Sequence, residues 1–259
     1  MQNTENSTEN SSLIESLFSL GAHFGYSRSR RHPSVKDFIF GSKNRVDIID
    51  LEQTIKSLNT ALEFVASLAK EGKTILFVGN KYEARKIIKD AADSLDMPYC
   101  AERWIGGTFT NFSEIKKRVA RLEDILQKKE TGGLDVYTKK ERGLIDKELS
   151  DLEKRFSGIV SMKKLPNALL VIDSKEEDSA VREARQLGIP VISLSASDCD
   201  ISLIDYPIVA NDSSAESIKF FLDKIVEAYQ TSKRPTISPI SLSENETNKS
   251  EAPQSSQDL

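Results

Sequence analysis

Four short, almost wholly apolar runs constrain the fold of this chain more than any other feature. They are Ile75-Leu76-Phe77-Val78, Ala168-Leu169-Leu170-Val171-Ile172, Val191-Ile192-Ser193-Leu194 and Pro207-Ile208-Val209. Continuous rather than alternating apolarity marks strands buried on both faces, as in a parallel sheet covered by helices on each side. The segments around them carry the matching helical spacing. Leu51, Ile55, Leu58, Leu62, Val65 and Ala69 share one helical face, and so do Ala84, Ile87, Ile88, Ala91 and Leu95. Ala180, Val181, Ala184 and Leu187 form a third such face, and Ile218, Leu222, Ile225 and Tyr229 a fourth. Strands alternating with amphipathic helices predict a doubly wound α/β fold with a parallel sheet of about five strands.

Capping residues set the expected helix starts. Asp50 with Gln53, Asn80 with Glu83, Ser174 with Glu177 and Ser213 with Glu216 each place a side-chain acceptor three residues ahead of a reciprocal partner. Gly72, Pro98, Gly188 and Pro190 read as stops.

Residues 111–164 follow another rule. After a cap at Asn111 with Glu114, Phe112, Ile115, Val119, Leu122 and Leu126 recur at alternating spacings of three and four. Gly132-Gly133 interrupts the chain, and a Thr138/Glu141 box then opens a second narrow seam of Ile145, Leu149, Leu152 and Phe156. Two narrow seams about a Gly-Gly turn predict a protruding antiparallel hairpin of coiled-coil type. The expected division is therefore a disordered tail over 1–12, a first part of the α/β domain with a basic loop over 13–110, and the hairpin over 111–164. The second part of the domain spans 165–230 and a disordered, Ser-, Pro- and Glu-rich tail spans 231–259, since such compositions cannot bury enough apolar surface to order themselves.

The chain has 36 Lys+Arg against 40 Asp+Glu, a net charge of −4, but the charge is unevenly spread. Residues 25–45 hold six basic residues and one acid, residues 113–164 fourteen and ten, and residues 165–229 five and twelve. Such a distribution suits local contact with a polyanion. No run approaches the ~20 apolar residues that span a bilayer, and the polar start lacks a secretory signal pattern, so the protein is expected to stay in the cytosol, away from membranes. Cys100 and Cys199 form no CxxC pair and read as reduced, buried thiols. With only His23 and His32, a zinc site or a histidine-based triad has little material, and His23 reads as a satisfied structural histidine.

Other chemical motifs are faint. Gly72-Lys73-Thr74 precedes a strand and has Ser67 where a phosphate-binding loop needs glycine. Gly79-Asn80-Lys81 follows a strand and opens a helix, a place for phosphate, although an ordinary turn is the simpler reading. Asp173 at a strand's carboxyl end reads as a capping residue, and Asp198, Asp200 and Asp205 as loop turns without calcium-loop spacing. No catalytic or metal-ligating set assembles, and no cofactor is expected. The segment Arg103-Trp104-Ile105-Gly106-Gly107-Thr108-Phe109-Thr110-Asn111-Phe112 fits two readings: close backbone approach to a partner, or a tight connection with Trp104 in the core.

That last segment closely resembles the signature of the bacterial small-subunit ribosomal protein number two family. Further stretches match in order: Gly21-Ala22-His23-Phe24-Gly25, Phe38-Ile39-Phe40-Gly41, Ile48-Ile49-Asp50-Leu51, Ile75-Leu76-Phe77-Val78-Gly79, Leu165 to Asp173, Glu183 to Pro190, and Ile204-Asp205-Tyr206-Pro207-Ile208. The likeness covers about residues 13–229. It departs at Tyr26, at Arg31-His32 and at Val209-Ala210, where the family usually has His, Trp-Asn and Pro-Gly.

The resemblance implies a flavodoxin-like sheet with a protruding hairpin. It also implies a non-enzymatic role: binding 16S ribosomal RNA between head and body of the small subunit, beside other small-subunit proteins that include the large messenger-binding protein of OB-fold repeats. Neither a membrane nor a small-molecule substrate is then expected. Phosphate contacts are expected from Arg28, Arg30, Arg31, Lys36, Lys43 and Arg45, with contributions from Arg103, Lys116, Lys117, Arg118, Arg121, Lys163 and Lys164. The rival is an enzyme or sensor holding a nucleotide or phosphosugar at the strand carboxyl ends through Gly79, Asn80, Lys81 and Asp173.

Overall fold

A computed structural model describes the backbone over residues 2–134 and 136–233, and side chains from residue 11 onward. Its centre is a five-stranded parallel sheet made of β4 (Ile75–Val78), β5 (Tyr99–Cys100), β6 (Ala168–Ile172), β7 (Val191–Ser195) and β8 (Tyr206–Val209). The strand order β5-β4-β6-β7-β8 is the flavodoxin-like arrangement, with its switch point between β4 and β6. All of β4, β6 and β7 is buried, as continuous apolar runs require.

Side-chain alternation divides the core between the two faces of the sheet. Ile75, Phe77, Leu170, Ile172 and Leu194 pack with α2 (Leu51–Lys70), α3 (Tyr82–Ser94) and α7 (Ala215–Ser232). Leu76, Val78, Leu169, Val171 and Val191 pack with α6 (Asp178–Gln186), Trp104 and the base of the hairpin. That hairpin, α4 (Phe112–Glu130) and α5 (Lys139–Phe156), is inserted between β5 and β6. Its antiparallel pairing follows from Arg121–Glu148 and Lys129–Asp146, whose numbers run in opposite directions. Ile115, Leu122, Leu149 and Phe156 are buried in the seam as spaced, but Ile125 takes the fully buried place and Leu126 lies at the margin.

The caps hold in part. Asp50 accepts from the Glu52 and Gln53 amides, and the Thr138/Glu141 box is complete. Asn111 sits at the N-cap of α4 without a side-chain bond. The other three starts move. Lys81 is the N-cap of α3, while the Asn80 side chain accepts from Arg85. The start of α6 shifts to Asp178 because Asp173 Oδ1, not Ser174, takes the first free amides, those of Lys175 and Glu176. Ser214 rather than Ser213 caps α7.

Two segments differ from expectation. Where composition predicts disorder over 1–12, α1 (Gln2–Ser19) is helical, continuing upstream from Leu13, Ile14 and the fully buried Leu17, which anchor it to the core. The helix α7 continues through Ser232 with Lys233 as its C-cap, and the expected C-terminal tail from residue 234 lies outside the described residues. A second sheet, with no counterpart in the sequence reading, is formed by β1 (Phe24–Ser27), β2 (Ile39–Lys43) and β3 (Val46–Ile49) in the antiparallel order β1-β3-β2. It seats on the loop after β7. The Tyr26 amide donates to Ser197 Oγ at 2.8 Å and the His32 amide to Ser197 O at 2.9 Å. Gly25 permits this approach, since a Cβ there would stand 2.8 Å from Ser197 Oγ. No helix among the described residues is long and apolar enough to cross a membrane.

Candidate nucleic-acid interface

The carboxyl ends of the central strands, where ligands of such folds bind, are filled by the protein's own side chains. Lys81 Nζ lies 2.7 Å from Asp173 Oδ2 and 2.8 Å from Asp212 Oδ1, and also donates to Tyr26 Oη at 3.3 Å. The two buried carboxylates raise the ammonium's pKa against the opposing effect of burial, so Lys81 stays protonated. Burial and the Asp173 charge push the Asp212 carboxyl up to about 6 in spite of Lys81. Cys199 Sγ lies 3.4 Å from Asp173 Oδ1, and burial pushes its thiol up to about 12, which keeps it an inert thiol. Asp173, Cys199 and Asp212 stand close enough to share a cation, but the Lys81 ammonium already bonds both carboxylates.

The Gly79-Asn80-Lys81 turn, weighed as a place for phosphate and read as an ordinary turn, is equally committed. The Gly79 amide donates to Cys100 O and the Asn80 amide to Glu177 Oε1, each at 3.0 Å. Burial pushes that carboxyl up to about 7. Gly79 is needed for packing, because a Cβ would collide with Ile88 Cδ1. Cys100 is half-buried rather than buried. His23 is stacked on Phe18 and lies tilted against Phe24, with ring centroids 4.1 and 4.0 Å away. Its Nδ1 is buried without a hydrogen bond, so it is not the satisfied histidine expected, and burial lowers its pKa toward the neutral ring.

The Trp104 segment takes the core reading. Trp104 is buried and its indole donates to Glu183 Oε1 at 3.1 Å. Glu183 of α6 also accepts from the amides of Gly107, Phe109 and Thr110 at 2.8, 2.9 and 3.1 Å. Burial opposes ionisation of this carboxyl, but the four donors prevail and hold it below its usual range. The loop from Gly107 to Thr110 therefore wraps a half-buried carboxylate of the protein itself. Arg103 alone of the predicted contacts in this loop points to solvent.

The basic N-terminal loop is assembled at the β1–β3 sheet. Arg28 and Arg30 lie on a 3-10 turn, and the Arg28 amide donates to Arg45 O at 2.9 Å, which draws the two ends of the basic run together. Lys43 and Arg45 flank and form the β2–β3 turn, whose Asn44 and Arg45 both have positive φ (53° and 66°), as a two-residue hairpin turn requires. Lys36 lies on a second 3-10 turn. These five side chains are exposed and have no carboxylate at ion-pair distance among the described residues. Arg31 departs from the expected set. Its guanidinium makes a bidentate pair with the fully buried Asp47 at 2.7 and 2.8 Å, so its charge is neutralised inside the fold. On the hairpin, Arg121 is engaged by Glu148 and Asp124, Lys117 by Glu114, and Lys116 lies 4.9 Å from the Phe112 ring centroid. Arg118, Lys163 and Lys164 are exposed.

Comparison with known proteins gives a consistent result. The family model described as Ribosomal protein S2 matches residues 17–232. Small ribosomal subunit protein uS2 of Coprothermobacter proteolyticus is 41% identical over 215 residues, covering 83% of this chain and 80% of the relative. The uS2 protein of Sulfurimonas denitrificans is 42% identical over 220 residues, 85% of each chain. That of Nitratiruptor sp. is 42% identical over 215 residues, 83% of this chain and 80% of its own. A flavodoxin-like sheet whose ligand end is plugged by Lys81, a β1–β3 sheet that gathers exposed cations, and likeness of this extent lead to one conclusion: the chain belongs to the ribosomal protein S2 family and is a structural protein of the small ribosomal subunit, not an enzyme.

Proposed function

We propose that this protein binds 16S ribosomal RNA between the head and body of the small subunit and helps to dock the large messenger-binding protein of OB-fold repeats. The phosphate backbone is held by Arg28, Arg30, Lys36, Lys43 and Arg45, with Arg103, Lys116, Lys117, Arg118, Lys163 and Lys164 as a second group. One observation carries the reading: five exposed cations without carboxylate partners among the described residues, gathered by turns and a hairpin on a protein whose net charge is −4. Arg31 supports them indirectly by tying Ser42 and Asp47 beneath the hairpin.

The test is RNA binding against salt. With five phosphates neutralised at ~0.7–0.9 each, log affinity should fall with log salt at a slope of about −3.5 to −4.5. Reversing Arg28, Arg30 and Arg45 to Glu should weaken association with 16S RNA and flatten that slope more than reversing Lys116, Lys117 and Arg118. A salt-independent affinity, or equal losses for the two triple variants, would overturn the N-terminal sheet as the anchor.

A further inference from the structure

Phe40 presents its ring to solvent, at 82% exposure, on a strand of a well-packed protein. The cause is a register jump. Ile39 pairs with Ile49 but Gly41 pairs with Ile48, so two steps along β2 oppose one along β3, and Phe40 is the extra, bulged residue. A bulge re-aims a side chain out of the ladder. Here it turns a large aromatic outward on an edge strand instead of folding it into the small core of Val35, Ile49 and Val209 beneath.

The surroundings are stiff and cationic. Arg31 Nη2 donates to Ser42 Oγ at 3.2 Å, and Ser42 Oγ donates to Asp47 Oδ1 at 2.6 Å, which clamps β2 to β3 just beyond the bulge. Lys36 precedes the ring on the 3-10 turn, and Lys43 and Arg45 follow it on the hairpin turn, all exposed. An aromatic face among exposed cations is the pairing that single-stranded nucleic acid uses, phosphates on the cations and a base on the ring.

We propose that Phe40 is a stacking platform for an unpaired base of the bound RNA, whose flanking phosphates are held by Lys43 and Arg45. This rests on the RNA-binding reading above and names the RNA element it takes: a splayed, single-stranded nucleotide rather than a helical groove. A protein partner is the competing occupant. The exposed charge favours RNA, because cores of protein interfaces are depleted in charge.

The experiment uses the full chain and 16S ribosomal RNA, titrated at several salt concentrations, with Phe40→Ala and Phe40→Trp. Because the ring is nearly free of the fold, both variants should melt with the parent protein. Phe40→Ala should lose about 5- to 150-fold in affinity with the salt slope unchanged, since no cation is removed. Phe40→Trp should keep the affinity and show emission quenched by RNA beyond the response of Trp104 in the parent. Parent-like affinity for Phe40→Ala, or no added quenching for Phe40→Trp, overturns the platform. If the charge-reversal variants still weaken binding, the RNA reading survives that failure. If Phe40→Ala instead loses only a neighbouring small-subunit protein, the ring belongs to a protein interface. A flat salt response in the parent would remove the RNA reading itself.

Discussion

A lysine held between two buried carboxylates governs the ligand end of the central sheet. Removing the Lys81 charge as Lys81→Met leaves Asp173 and Asp212 facing each other in the interior, where an unpaired buried charge costs about 3–5 kcal/mol. The direction with pH follows from Asp212, whose carboxyl already stands at about 6 with the lysine present. Without the lysine it stands higher still, so the folded state takes up a proton that the unfolded chain does not bind until lower pH. The variant should therefore melt well below the parent at pH 7.5, and the gap should narrow by pH 5.5. A gap that stays constant with pH would show that lost packing, not charge, is responsible. Glu183 is a half-buried carboxylate with a distinct role. Glu183→Ala removes the shared acceptor of three amides and the Trp104 indole, and should cost about 2 kcal/mol, because these donors lose a half-buried partner but can be partly rehydrated. The single tryptophan makes this directly readable, as a red-shifted emission and an earlier urea midpoint.

At the scale of elements, the hairpin separates two kinds of interaction. Leu122 is 1% exposed in the seam, so Leu122→Ala should cost about 3 kcal/mol through the cavity it leaves. Arg121 bridges the same helices from the surface to Glu148, and its loss should cost within about 1 kcal/mol, and less at high salt. Urea unfolding of the two variants checks the ranking, and equal losses would place the hairpin's stability in its ion pairs. These seams were legible from spacing alone because α4 and α5 meet along one line. The β1–β3 sheet was not legible. Its strands have four or five residues with mixed exposure, and β2 breaks its own register at Phe40, so neither continuous nor alternating apolarity marks it. Cap positions were readable to within a few residues. Which side chain serves as the cap was settled by competition, as where Asp173 displaces Ser174.

For the whole molecule, the separation of charge along the chain becomes a separation of roles. The acidic stretch supplies Asp173, Glu177 and Asp212, each buried and hydrogen-bonded or paired, and the half-buried Glu183, so part of its negative charge is taken up inside the fold. The exposed cations of the N-terminal sheet are left facing outward, which is the condition for gripping a polyanion. The layered α/β architecture, the helix faces, the two seams and the location of the basic runs were determined by the sequence itself, because they express periodicity and steric preference over a few residues. Tertiary structure alone decided which charges remain available. Arg31 is spent on Asp47, Lys81 is turned inward to Asp212 far along the chain, and Trp104 is fastened to Glu183. The strength of an ion pair or hydrogen bond depends on distance and burial in three dimensions, and neither quantity is written in the spacing of residues along the chain.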